Sequence, residues 1–241
     1  MHNRNLYWSL AGVVLLLVFV RGLNAGPNVA YFHRFEKRVS RWLNRQKAER
    51  TSKQVVAAIG RQLHDGDLIF QTSTSAQSQA IQLATHSAYS HCGVLFKKKN
   101  NWFVFEAVQP VSETSLSAWI ARGQKGNFVV KRLQDADGVL TSATLRNLQK
   151  AGEQYRGKNY DLYFGWSDDR IYCSELLWKM YYQATKRKIG QLQRLREFDL
   201  SHPAVQQKML ERYGNQIPLD EQVISPVQMF NSPELVTVIQ R

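Results

Sequence analysis

The chain has 241 residues, 44% of them hydrophobic and 21% charged, with only 14 Gly and 6 Pro; this excludes collagen-like, low-complexity and wholly disordered chains. Two cysteines, Cys92 and Cys173, are too few for a disulfide scaffold or an all-cysteine zinc site. A net charge of +13 calls for an anionic partner.

Residues 6–20 form an uncharged, mostly apolar run between Arg4 and Arg21. It is short for a bilayer span and suits the hydrophobic core of an export signal. Leu23-Asn24-Ala25 is an imperfect cleavage site, so residues 1–25 read as a signal peptide or an uncleaved membrane anchor. Between residues 21 and 61, ten Lys and Arg stand against Glu36 and Glu49, while Phe32, Phe35, Val39, Trp42 and Leu43 recur at helical spacing. Residues 26–60 are therefore expected to form a basic amphipathic helical segment. It would face an anionic membrane surface or wall polymer, or dock its apolar stripe on the protein's own core. The location expected is the cell envelope, either periplasmic or attached to the membrane. Export removes nucleic acid as a partner, and no base-reading module is visible.

Residues 61–241 form the remaining domain. Asp65-Gly66 signals a turn and residues 67–71 a strand; Ser73 to Ser78 is polar and caps a helix through Ala80, Ile81, Leu83 and Ala84. Strands over 92–96 and 102–108 make a hairpin. A short helix over 116–120, a strand over 128–133 and helices over 141–155 and 172–185 follow. Residues 187–223 give no clear pattern. Ser225-Pro226 starts a helix, and 235–239 is a last strand. Irregular alternation of helices with a hairpin-built sheet favours an α+β fold.

The chemistry gathers on three residues. Cys173 begins its helix, where free N–H groups favour the thiolate. His91 and Cys92 point to opposite sides of a strand. An even-numbered hairpin loop places His91 directly across from Glu106, whereas an odd loop separates them. A carboxylate on one ring nitrogen leaves the other to accept a thiol proton. The remaining histidines show no metal-ligand spacing, and His64-Asp65-Gly66-Asp67 reads as a turn and strand start, so no metal is expected.

Three segments carry a resemblance: residues 66–70 (GDLIF), 89–94 (YSHCGV) and 172–176 (YCSEL). With Gln71 to Gln82, the strand at Phe105-Glu106-Ala107, Tyr160-Asp161 and the tail at Ile224-Ser225-Pro226, they resemble the circularly permuted, papain-like branch of the NlpC-type peptidases, the YiiX/YaeF/YebB-like enzymes. The resemblance spans about residues 60–240 and implies an antiparallel sheet packed against the cysteine-bearing helix. It implies Cys173 as nucleophile, His91 as general base then acid, and Glu106 as the orienting third member. Tyr160, Asp161 and Tyr172 fall at the substrate side, and a tyrosine hydroxyl joins the Cys173 N–H at the oxyanion. No cofactor is implied. Cys92 departs from the pattern, in which an aliphatic residue is usual, and a Cys92–Cys173 disulfide is argued against by strand alternation. The function expected is an exported cysteine hydrolase cleaving an amide of a cell-wall peptide, or an ester, through a thioester. A lipid-directed acyltransferase or lipase and a non-catalytic tethered binding module are the alternatives.

Overall fold

Period-two alternation of apolar side chains lays down the strands, and helices cover both faces of the sheet they form. The computed structural model describes residues 29–241, with side chains from residue 34. The run at 6–20 and the cleavage site at 23–25 lie outside the described residues. No helix among the described residues is long and apolar enough to cross a membrane.

The chain divides into two compact units, residues 1–46 and 47–241. Helix α1 (Val29–Ile59) begins in the first. It exposes Phe35, Trp42 and Leu43, 42%, 54% and 45% accessible. It lies within the segment expected to be helical over 26–60.

In the second unit the strands are β1 (Leu68–Gln71), β2 (His91–Lys98), β3 (Asn101–Glu106), β4 (Ser112–Ser115), β5 (Val129–Leu133) and a last strand, Leu235–Gln240. They form one antiparallel sheet in the order β4-β3-β2-β1-β5 and then that last strand. One face carries Leu68, Phe70, Cys92, Val94 and Phe105. The other carries Ile69, Leu95, Val104 and Val130. Each large side chain so buried contributes about 1.5–3 kcal/mol.

Helix α2 (Ala76–Thr85) is capped by Ser75, whose hydroxyl accepts the Ser78 N–H. Helix α3 (Leu116–Arg122) lays Leu116, Trp119 and Ile120 on the second face. Between β5 and the last strand come α4 (Ala136–Val139), α5 (Ser142–Glu153), α6 (Cys173–Thr185), α7 (Pro203–Tyr213) and α8 (Pro226–Phe230). Helix α6 buries Leu176, Leu177, Met180 and Tyr181 against the first face. Tyr181 gives its hydroxyl proton to the Gly66 carbonyl. Gly66 itself needs a positive φ of 86° for the turn into β1. Asp67 closes that turn, accepting the His64 N–H and a two-pronged contact from Arg132 at 2.7 and 2.8 Å, so the acidic run there is spent on structure.

The unassigned stretch after residue 187 holds α7 and a two-strand ribbon, β6 (Gln193–Arg194) with β7 (Gln222–Val223). The last strand is thus β8. Helix α7 buries only Val205 and Met209, too thin a stripe to stand out from its polar surroundings.

The hairpin corrects one expectation. Its turn is Lys99-Asn100, with Lys98 opposite Asn101 and Val94 opposite Phe105. This loop is even, as expected, but displaced by two residues from the expected pairing. Continued, the register sets Glu106 beside Gly93 instead of His91. Parity is what the faces depend on, so His91 and Glu106 still share a side of the sheet and meet diagonally.

Candidate active site

His91, the first residue of β2, holds Glu106 through Nε2 at 2.6 Å. Gly93 makes room for this diagonal: a Cβ there would stand 2.2 Å from Val104 Cγ1 and 3.5 Å from the Glu106 Cβ. The carboxylate is fully buried and satisfied on all sides. Thr114 Oγ1 donates at 2.6 Å, Trp119 Nε1 at 3.0 Å, and Arg122 Nη2 reaches both oxygens. Trp119 also stacks along the His91 ring, centroids 6.1 Å apart at 28°. None of Thr114, Trp119 and Arg122 was flagged by sequence. They lie on β4 and on a helix laid over the sheet, and no local motif announces a donor whose acceptor is distant in the chain.

Cys173 opens α6 and packs on the face that carries Cys92, not the face that carries His91. This corrects the expectation that strand alternation keeps Cys92 away from the nucleophile. As the first residue of its strand, His91 serves both sides: Nε2 is held by Glu106, and Cys173 lies near enough to help raise the ring's pKa. Both cysteines are free and buried.

The electrostatics follow from these contacts. Burial alone would lower the His91 pKa; hydrogen bonds and charge from Cys173 and Glu106 outweigh it and raise it to about 9. Burial pushes the Glu106 carboxyl up, yet His91 and Arg122 bring it down to about 2. Cys173 is held well below the ordinary thiol range, first by hydrogen bonding from Cys92 and then, against burial, by His91. Burial and the neighbouring Cys173 push Cys92 the other way. Both shifts favour the thiolate and imidazolium pair, the reactive form of a thiol.

Of the three residues expected on the substrate side, Tyr160 stands against the nucleophile. Burial and then the Cys173 charge push its phenol pKa well above the ordinary value. Gln77 Nε2 donates to its oxygen at 3.3 Å. Tyr172 faces the cavity beside Cys173, but its hydroxyl accepts the Ile224 N–H. Asp161 is not brought to the site. Its carboxylate accepts the N–H groups of Tyr163 and Gly165 at 2.8 and 2.7 Å and shapes that loop.

Two openings lie at the site, the first lined by Cys173 and both by Gln77, Ile81 and Tyr160. One is a narrow slot of about 60 Å³, walled by Ala84, Phe164, Val205, Met209 and Ile224, with Arg212 at its lining. The other, about 510 Å³, lies on the His91 side.

A cysteine-bearing helix packed on an antiparallel sheet, with histidine and carboxylate supplied by an earlier hairpin, defines a papain-like cysteine hydrolase whose chain order is permuted. Residues 62–239 match the family described as permuted papain-like amidase enzymes, YaeF/YiiX, C92 family, and the chain belongs to that family. It is 50% identical over 183 residues to the uncharacterized protein YiiX of Escherichia coli strain K12, covering 76% of this chain and 89% of that protein. A crystal structure from Escherichia coli O157:H7, titled metalloprotein yiiX, superposes with a TM-score of 0.71 at 50% identity, over 75% of this chain and 98% of that one.

Proposed function

We propose that the protein is an envelope-attached cysteine hydrolase acting on amides or esters whose acyl part is apolar. The Cys173 thiolate attacks the acyl carbon, and the oxyanion accepts hydrogen bonds from the Cys173 N–H and the Tyr160 hydroxyl. As the bond to the leaving nitrogen or oxygen breaks, His91 gives it a proton. The neutral imidazole then takes a proton from water, whose oxygen attacks the thioester, and the thiol leaves with the returned proton. Glu106 keeps the ring oriented and supports its charge.

The apolar lining of the slot beside Cys173 carries the substrate assignment. It offers a hydrocarbon chain a dry wall and offers a charged cell-wall peptide few partners. The exposed Phe35, Trp42 and Leu43 among the cations of α1 support attachment to an anionic surface. The neighbour's title raises a metal. Among the described residues no three His, Cys, Asp or Glu side chains converge on a possible ion site, and the Glu106 oxygens are taken by His91, Thr114, Trp119 and Arg122. The donor set does not fit a metal, and no step is routed through one.

The test offers purified protein an N-acyl amide, a phospholipid and murein peptides in parallel. Release of an apolar acyl product, abolished in Cys173→Ala, is expected; turnover of murein peptides alone would overturn the substrate assignment.

A further inference from the structure

Which half of the substrate lies where follows from the proton transfer. His91 must reach the departing atom, so the leaving half occupies the opening on the His91 side, which shares Gln77, Ile81 and Tyr160 with the apolar slot. That opening is lined by Ser90, Gln109, Arg122 and Tyr160 along with Gln71 and His91. Most of these groups are already engaged. Ser90 Oγ accepts the Ser73 N–H and bonds to Ser78; Gln109 spans Asn159 and the Tyr160 N–H; Arg122 is held by Glu106.

Gln71 differs. It ends β1, with its Cα paired to that of His91, so both side chains rise from the same face. It is 1% exposed, and among the described residues neither Oε1 nor Nε2 has a hydrogen-bond partner. Its carbonyl end is pressed to Gly123, where a Cβ would stand 2.1 Å from Oε1. The glycine is what admits the amide. A buried donor and acceptor both left unmet cost stability, and a leucine of similar size would remove that cost. The opening, among the described residues, is lined by no carboxylate that would select a cation.

Resting on the reading of Cys173 as nucleophile, we propose that Gln71 reads the leaving half of the substrate, pairing its free donor and acceptor with a carboxamide next to the departing amine. The substrate class is then an apolar acyl group on the amino end of a peptide. The acyl–nitrogen bond breaks, the acyl–sulfur bond forms, and the peptide nitrogen leaves as an amine with the His91 proton.

Two amides with one apolar acyl group separate the cases: one with glycinamide as leaving amine, one with propylamine, which has no carboxamide. Wild type is expected to prefer the glycinamide conjugate in kcat/KM by about tenfold, the worth of one ordinary hydrogen bond or slightly more. In Gln71→Leu that ratio falls to near one while Tm rises; any general loss of activity cancels in the ratio. Gln71→Met serves if the leucine variant does not fold. A ratio unchanged in both variants, or no preference in wild type, overturns the proposal. Turnover that persists in Cys173→Ala instead fails the nucleophile assignment, a separate outcome.

Discussion

Replacing Glu106 with Gln keeps its shape and removes its charge. His91 stands at about 9 against an ordinary 6.5, a preference for the imidazolium on the order of 3 kcal/mol that Cys173 and Glu106 supply together. Losing the carboxylate should forfeit about half of it, enough to move the imidazole down by about one pH unit. A weaker imidazolium supports the thiolate less, so the Cys173 pKa rises. The range over which both groups carry their charge therefore narrows from each end. The assay is the rate of Cys173 alkylation by iodoacetamide as a function of pH. Wild type should react well below the ordinary thiol range and change behaviour again near pH 9, as His91 loses its proton. Glu106→Gln should shift the acid limb up and the alkaline limb down. Arg122 then lacks its counter-charge, and the variant should unfold about 1–3 kcal/mol more easily, which a melt reads separately. Identical pH profiles in a folded variant would refute the coupling of carboxylate, imidazole and thiol.

Gly93→Ala drives a methyl group into Val104 and toward Glu106 and should cost about 1–3 kcal/mol in chemical denaturation. Tyr160→Phe removes an oxyanion donor; kcat should drop by about a hundredfold in steady-state turnover, with alkylation of Cys173 much less affected. Ala84→Phe fills the apolar slot and should lower kcat/KM for long acyl chains more than for acetyl, read across a chain-length series.

Legibility in the sequence tracked how local the cause was. The N-terminal place of Cys173 on α6, a helix cap within Ser73 to Ser78, the Gly66 turn and the strand at Leu68–Gln71 are set by neighbouring residues and could be read directly. The shared face of His91 and Glu106 needed only the parity of a loop, which survived a two-residue error in register. What escaped was contact across the fold. Arg122 and Trp119 reach Glu106 from α3, Cys92 meets Cys173 because a helix lies over the strand, and Asp161 turns inward on its own loop. Helix α7 escaped for another reason, a buried stripe only two residues wide.

The order of the parts along the chain has a consequence for biosynthesis. Strands β1 to β4 and helix α3 bring together His91, Glu106, Thr114, Trp119 and Arg122 from one contiguous stretch. The ribosome delivers all of them before it reaches Cys173. A chain that stops short of α6 therefore lacks the nucleophile and cannot form a thioester, whatever it gathers around His91.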